Sequence, residues 1–199
     1  MRTISCPMTT TYEVQKSKFI GFLFPVISLE MVHLHLEEIR KNYPDATHHC
    51  YAYILKNEKR CSDDGEPSGT AGMPILNVLE KQNLNFILCI VVRYFGGILL
   101  GTGGLVHAYT LSVTNTLKDC TYVNMVDGKN ITLLFSYENQ KYIDSLLKNV
   151  TIHSKEYQEQ IQYHISIPTD IWNSILKQIL PYLIDYQIIK DCYCLENTI

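Results

Sequence analysis

The chain has 199 residues, 46% of them hydrophobic, and a formal net charge of −3. It is long enough for one large domain or two small ones. Without a basic excess it is not suited to strong general attraction to duplex nucleic acid, although a local basic patch is still compatible with these numbers. No apolar run approaches the ~20 residues that a membrane-spanning helix needs, and the N-terminus has no basic start followed by an apolar segment. We therefore expect a cytoplasmic protein with no membrane contact.

The hydrophobic patterns of the first 121 residues predict alternating strands and helices. Ser28 is a suitable cap for the first helix, Pro74 for the first position of the second helix, and Thr102 for the start of the third. The predicted elements are a strand at 18–26, a helix to 42, strands at 48–55 and 86–92, and helices at 74–82 and 103–118. The apolar run 86–92 is typical of a strand that is buried on both faces.

The remaining residues predict a second domain. A turn at 127–129 is followed by strand 131–137, helix 139–149, strands 151–157 and 160–167, helix 169–180 and strand 183–194. This is the βαββαβ order of a ferredoxin-like domain. We therefore predict an α+β protein with domains at 1–121 and 122–199.

Seven cysteines are scattered through the chain. An odd number without a CxxC pair favours free thiols in a reducing compartment. Cys192 and Cys194 share one face of a predicted strand, but a tetrahedral metal site there needs two further ligands. We expect neither a metal nor another cofactor.

Eight of the ten glycines lie in two short segments, which we name the first glycine block (62–72) and the second glycine block (93–105). Glycine is favoured where the backbone turns with positive φ or approaches another group closely. These blocks are therefore the predicted working surface of the protein.

The two blocks read SDDGEPSGTAG and RYFGGILLGTGGL, and the second is followed by Ala108 and Tyr109. With these motifs, residues 10–120 closely resemble the IMPACT/YigZ family. The resemblance implies a two-domain, bacterial-type member. Its N-terminal two-layer α/β domain would be similar to the second domain of a small-subunit ribosomal protein, and its C-terminal domain to late domains of elongation factor G. Eukaryotic relatives regulate translation, so the implied partners are RNA, the ribosome or a translation factor.

The chain departs from the family pattern at four positions. Met73 and His107 stand where arginine is usual, His49 where asparagine is usual, and Val92 where threonine is usual. The first two changes remove permanent positive charges beside the glycine blocks. Arg93 is then the main cation expected there.

The second glycine block carries the candidate anion-binding or nucleic-acid-binding residues. Backbone N–H groups of a turn at a helix start favour an anion, and an aromatic ring beside a cation can stack on a base. The candidates are Arg93, Tyr94, Gly101, Thr102, Gly103, Gly104 and His107. The alternative is that the glycines only permit close packing of helix on sheet.

The first glycine block carries candidate acid/base residues in Asp63, Asp64 and Glu66. Three carboxylates in four residues can supply general acid/base groups or bind a hard cation, although carboxylates on a loop often only face water. Cys50 with His48 or His49 is a further candidate, as a nucleophile with its base. On a strand, however, His49 points away from the face that the other two share, which favours packing.

Three functional hypotheses follow. The first is a non-catalytic, translation-associated regulatory protein that contacts RNA, the ribosome or a translation factor through the joined glycine blocks. The second is a hydrolase or phosphate-handling enzyme for a small molecule, using the carboxylates of the first block and the Gly101 to Gly104 turn. The third is a pure protein-binding module, which an exposed apolar surface including Met73 and Tyr94 would favour. The sequence makes no prediction of oligomeric state.

Overall fold

A computed structural model describes residues 1–56 and 58–196. The chain divides into two compact units, one from Met1 to Val123 and one from Asn124 onward. It is a mixed α/β protein with antiparallel sheets. Among the described residues, no helix has the length and apolar character required to span a bilayer.

The first unit is built on an antiparallel sheet. Its elements are β1 (Arg2–Ile4), β2 (Met8–Val14), β3 (Ser17–Pro25), α1 (Leu29–Asn42), β4 (His48–Leu55), β5 (Glu58–Ser62), α2 (Gly72–Lys81), β6 (Ile87–Tyr94) and α3 (Gly101–Leu117). The strand order is β2-β3-β6-β4-β5, and each neighbouring pair is antiparallel. The predictions for β3, α1 and β4 agree with these bounds to within one residue, whereas β5 was not predicted.

Helices cover both faces of this sheet. On one face, Phe19 of β3 packs edge-on against Tyr109 of α3. On the other face, the alternate residue Phe22 packs against Tyr43 at the end of α1. The unit therefore has three layers, and the prediction of two layers is wrong in this respect. The physical reason is that central strand β6 is apolar and buried on both faces, so both need a cover.

The first residues of the helices in this unit show which of the predicted caps are present. The Ser28 hydroxyl accepts a hydrogen bond from the Met31 amide and caps α1, as predicted. In α2, however, Pro74 is the third helical residue, a position in the first turn where its missing N–H is still tolerated. The predicted Thr102 cap is wrong, because α3 already begins at Gly101 and Leu100 provides no side-chain cap.

The second unit has the βαββαβ element order that was predicted. Its elements are β7 (Tyr122–Phe135, whose first two residues belong to the first unit), α4 (Gln140–Leu146), β8 (Thr151–Tyr157), β9 (Ile161–Pro168), α5 (Thr169–Ile179) and β10 (Asp185–Leu195), with short 3-10 turns at 137–139 and 180–182. Strand β7 pairs with β10 and β9, and β9 pairs with β8, all antiparallel. Its core includes Phe135, Tyr163 and Trp172.

The turn predicted at residues 127–129 is part of a strand in the structure. Strand β7 runs straight through residues 127–129. A side chain at Gly128 would collide with the Cys194 sulfur on β10, so this glycine makes room for a neighbouring strand. The composition Asp-Gly-Lys is typical of a turn, but sheet packing determines the conformation here.

Candidate functional site

The two glycine blocks meet at one cavity of about 460 Å³ in the first unit, which we name the cleft. The first block contributes its central turn, and the second contributes the loop before α3 and the first turn of that helix. The cleft is lined by Thr47, His48, Gly65, Glu66, Pro67, Arg93, Phe95, Leu99, Leu100, Gly101, Thr102 and Leu105. Blocks that are far apart in sequence therefore form one concave surface.

A buried ion pair forms the floor of the cleft. The Arg93 Nη1 donates to Glu66 Oε1 over 2.6 Å, and the two side chains are only 6% and 3% exposed. The Tyr109 hydroxyl of α3 donates to the same carboxylate oxygen over 2.8 Å. The two charges of the pair compensate each other, while the Arg93 Nε donor is buried without a hydrogen-bond partner among the described residues.

Asp63 organises the start of α2. One of its carboxylate oxygens accepts from the amides of Ala71 and Gly72, and the other accepts from the Gly69 amide. Burial acts to raise the pKa of Asp63, but the three backbone donors outweigh it and hold the pKa below its usual value. This carboxylate is engaged as a helix cap and its polar atoms face the chain's own backbone.

Asp64 joins the first glycine block to β4 and α1. Its carboxylate accepts from the His49 amide over 2.7 Å and lies 3.5 Å from an Arg40 nitrogen. Its carbonyl accepts from His48 Nδ1 over 2.8 Å. The second ring nitrogen of His48 lies 3.8 Å from the Glu66 carboxylate. Asp64 and His48 thus hold the block against the sheet.

Cys50 is a buried thiol under the first glycine block. Its sulfur lies 2.9 Å from the Asp63 carbonyl and 3.2 Å from the Tyr109 hydroxyl. Burial is the main reason why its pKa rises to about 12, with the nearby carboxylates adding to it. A thiol with this pKa stays protonated near neutral pH and is a poor nucleophile. Full burial of the side chain and the raised pKa both argue against Cys50 as a nucleophile.

Between Gly96 and the start of α3, the second glycine block is less engaged with the rest of the chain than the first block is. Gly97 and Gly101 have positive φ, at 81° and 69°. Helix α3 starts without a side-chain cap and without an acidic residue in its first turn. Three large apolar side chains are exposed in this short segment, namely Phe95 (45%), Ile98 (42%) and Leu99 (85%). Phe95 and Leu99 also line the cleft, so this part of its rim is apolar.

Comparison with known proteins identifies the family. Residues 15–117, which include both glycine blocks, match the family model described as the Impact N-terminal domain. The chain belongs to the IMPACT family. The match covers the whole cleft, so the features described above lie in the part of the chain that defines the family.

Relatives from bacteria extend the similarity into the second unit. The IMPACT family member YigZ of Escherichia coli is 36% identical over 82% of this chain and 84% of its own length. The IMPACT family member YvyE of Bacillus subtilis is 35% identical over 75% and 69%. A crystal structure described only as a hypothetical protein aligns with a TM-score of 0.66 and 32% identity, covering 95% of this chain and 97% of that one.

Four of the predicted site residues of this IMPACT family member line the cleft: Glu66, Arg93, Gly101 and Thr102. The other six are absent from its lining, namely Asp63, Asp64, Tyr94, Gly103, Gly104 and His107. Arg93 was expected to be the main cation beside the glycine blocks; it lines the cleft, where it forms an ion pair with Glu66. Whether any of these residues binds an anion or a nucleic acid stays a prediction.

The structure shows the surroundings of the four residues that depart from the family pattern. Met73 is 44% exposed, and the Cys61 thiol contacts its sulfur. His49 interacts through Nε2 with the Tyr43 carbonyl at 3.0 Å, so it ties β4 to the end of α1. Val92 is fully buried in β6. His107 is exposed on α3. None of these four side chains contributes a permanent charge to the cleft.

The described part of the chain contains no cluster of side chains that would support the metal hypothesis. Among residues 1–56 and 58–196, no group of three or more His, Cys, Asp or Glu side chains is placed to hold a metal ion. The sulfurs of Cys192 and Cys194 lie 3.7 Å apart without further ligands of this kind. The cysteines are free thiols.

Sequence reasoning missed two parts of the site. Tyr109 was named only as part of the family motif and not as a site residue, yet its hydroxyl joins the ion pair on the cleft floor. The apolar rim was not predicted either, although the run Ile98-Leu99-Leu100 inside a glycine-rich loop was a usable signal. Apolar side chains that are exposed together on a loop are typical of a surface that meets a partner.

Proposed function

We propose that this IMPACT family member is a non-catalytic regulatory protein of translation that contacts a protein of the translation machinery through the cleft. The translation role rests on the family, whose eukaryotic members regulate translation. In this proposal residues 1–121 form the family's N-terminal domain, related to the second domain of a small-subunit ribosomal protein, and 122–199 form a ferredoxin-like second contact arm. The proposal implies a cytoplasmic location.

The observation that carries the proposal is that the reactive groups in and beside the cleft are engaged within the chain. Glu66 is held by Arg93 and Tyr109, Asp63 caps α2, and Cys50 is fully buried. A general base or nucleophile must be within reach of a substrate and in the right protonation state. These groups instead bind one another, which supports a binding role over the enzyme hypothesis.

The rim of the cleft favours a protein partner over RNA. RNA recognition relies on cations that meet phosphates, together with exposed rings that stack on bases. Here the cation of the cleft is neutralised and the exposed side chains include two aliphatic ones, Ile98 and Leu99. Exposed apolar side chains around a cavity are typical of protein contact surfaces.

Co-sedimentation of the purified chain with ribosomes, in the presence of a cell extract that supplies translation factors, tests this proposal. Leu99→Asp should weaken the association by about tenfold or more, because it places a charge on the apolar rim. Leu34→Asp is the matched control: Leu34 is 66% exposed on α1, on the opposite face of the sheet. Equal loss in both variants, or no association of the wild type, would contradict the proposal.

A salt series separates protein from RNA contacts. Association through phosphates weakens steeply as salt rises, with a slope set by the number of phosphates contacted. Association through an apolar rim should change little between low and moderate salt. A steep decrease that Leu99→Asp does not alter would assign the contact to RNA instead.

A further inference from the structure

Arg93 is a buried cation with one donor left unpaired. The residue is only 5% exposed, and it lines the cleft. Its Nη1 donates to Glu66, and its Nη2 has a contact of 3.5 Å with the Ser17 hydroxyl. Its Nε has no hydrogen-bond partner among residues 1–56 and 58–196. Buried polar groups in proteins are nearly always hydrogen-bonded, so this donor points to a ligand that supplies an acceptor.

The start of α3 presents further donors to the same cleft. Gly101 and Thr102 are the first two residues of this helix, and both line the cleft. The first amides of a helix have no acceptor within the helix, and the preceding residue provides no side-chain cap here. Thr102 is exposed, and its hydroxyl is one more group that can donate. These donors and the positive end of the helix dipole favour an acceptor with a negative charge.

The charges of the lining suit a single carboxylate. The described lining contains one permanent cation, Arg93, and one acidic side chain, Glu66. Glu66 is occupied by its own partners, because Oε1 accepts from Arg93 and Tyr109 and Oε2 lies 3.8 Å from His48 Nε2. A phosphate backbone gains its affinity from several cations, which the described lining does not provide. One carboxylate needs only a few donors, and the Arg93 Nε and the start of α3 supply them.

Apolar side chains lie directly beside these donors. Leu99 and Leu100 precede α3, Leu105 follows one turn later, and all three line the cleft together with Phe95. A matching ligand therefore carries a carboxylate and a large apolar group close together. The last residue of a polypeptide does so when its side chain is apolar, because one carbon atom bears both groups. An aspartate or glutamate inside a chain would need a second residue for the apolar contact.

We propose that the cleft binds the C-terminus of a protein partner whose last residue is aliphatic or aromatic. The terminal carboxylate accepts from the amides that begin α3 and from Arg93, and the terminal side chain packs on the apolar rim formed by Phe95 and Leu99. This inference deepens the proposed function and rests on it, because the cleft is the same contact surface.

Fluorescence anisotropy with the full-length chain tests the inference. The probes are an array of short fluorescein-labelled peptides with randomised sequences and a fixed C-terminal leucine or phenylalanine. The tightest binders are then compared as free acids and as C-terminal amides. The free acid should bind about tenfold or more tightly than the amide, since hydrogen bonds to a charged acceptor are stronger than those to a neutral one. Equal binding of acid and amide, or no binding by any peptide, overturns the inference.

A charge placed at the start of α3 locates the site. Thr102→Asp puts a carboxylate among the donors and should weaken binding of the free acid by about tenfold or more. Its melting temperature should stay unchanged or rise, because an acidic residue in the first turn stabilises a helix. Thr114→Asp is the matched control, with the same charge at an exposed position of α3 about 18 Å along the helix. Equal losses in the two variants overturn the site.

A conservative substitution tests the unpaired donor. Arg93→Lys keeps a positive charge beside Glu66 but lacks the Nε donor and the planar guanidinium. The preference for free acid over amide should therefore fall by about threefold or more, and circular dichroism checks that the variant is folded. An unchanged preference in the folded variant overturns the role of Arg93.

Competition identifies the source of the negative charge, and the outcome is separable from that of the proposed function. Displacement by inorganic phosphate as effective as that by unlabelled peptide, or equally tight binding of an amidated peptide with an internal aspartate, overturns the choice of a C-terminus. Ribosome association sensitive to Leu99→Asp, without a preference for free acids, would retain the translation role and reject this mode of contact. Binding that requires the free acid, without association to the translation machinery, would do the reverse.

Discussion

The two glycine blocks are both rich in glycine, but they relate differently to the rest of the fold. In the first block, the Asp63 carboxylate accepts three backbone hydrogen bonds, and Glu66 is buried against Arg93. In the second block, the loop before α3 exposes Phe95, Ile98 and Leu99. The first block is a structural clamp that uses its own polar groups, and the second presents its apolar groups to the surroundings.

This difference matters for the reading of conspicuous motifs. The first block, with three carboxylates in four residues, has the composition of a catalytic loop, yet its polar atoms hold the fold together. The second block has the less reactive composition and carries the available surface. A motif rich in chemically active residues can thus serve to position a neighbouring surface, which is how we interpret the pair here.

The largest expected effect tests the clamp. Arg93→Ala should lower the free energy of unfolding by about 3–5 kcal/mol, because it leaves the Glu66 carboxylate buried and uncompensated. Urea unfolding followed by circular dichroism measures the change. Lys59→Ala is the control, since its ion pair with Glu80 is exposed and should contribute only about 0–1 kcal/mol. Similar values for the two variants would contradict the clamp.

The second prediction concerns the thiol under the clamp. With its pKa near 12 instead of the ordinary 9.0, Cys50 should react with iodoacetamide about a thousandfold more slowly than an exposed thiol at pH 8. Exposed Cys6 is the internal reference. Peptide mass spectrometry after timed labelling gives both rates, and Arg93→Ala should accelerate labelling of Cys50 if it opens the clamp. Equal rates in the wild type would contradict the burial of this thiol.

The third prediction concerns the cap made by Asp63. Asp63→Ala should destabilise the protein by about 1–3 kcal/mol, since three backbone amides lose their acceptor. The pKa of Asp63 is lower in the folded state than in the unfolded state. Its contribution is therefore complete above the unfolded pKa, about 3.9, and is lost as pH falls through the folded pKa.

Urea unfolding of the wild type and of Asp63→Ala over a pH series tests this sign. The difference between the two proteins should be constant near neutral pH and should shrink below about pH 4. A difference that grew on acidification would mean that the folded pKa is raised and that the cap is misassigned.

The last prediction compares one glycine from each block by adding a single methyl group. Gly72→Ala in the first block should destabilise by about 1–3 kcal/mol, because the new methyl group would lie 2.8 Å from the Ser62 backbone. Gly103→Ala in the second block should stabilise by up to about 1 kcal/mol, because the methyl group would enter open space. Thermal unfolding of both variants measures these changes, and shifts of the same sign would remove the contrast between the blocks.

Local patterns predicted much of the fold. Alternation and the Ser28 cap were sufficient for β3, α1 and β4. Strand β5 was missed because its Glu-Lys-Arg start has neither alternation nor β-branched residues. The Thr102 cap was wrong because α3 begins at Gly101, two residues before the start at Gly103 that this cap would give.

The site was harder to predict than the fold. The concentration of glycines indicated where the cleft would be, and the cleft does contain both blocks. The pairing of Glu66 with Arg93 could not be deduced, because it depends on how β6 and the first block pack across 27 positions of sequence. Each charge alone is typical of a surface group, and only tertiary contact reveals that they neutralise each other.

Strand β5 has a consequence for how copies of the protein behave at high concentration. It is one border of the first unit's sheet, and its leading residues Glu58, Lys59 and Arg60 are all exposed. Unprotected borders of sheets recruit strands from other molecules and begin fibril growth. Three consecutive charged side chains make this edge strand a poor template for such growth. The same residues that prevented the prediction of β5 from the sequence therefore also oppose self-association through this edge.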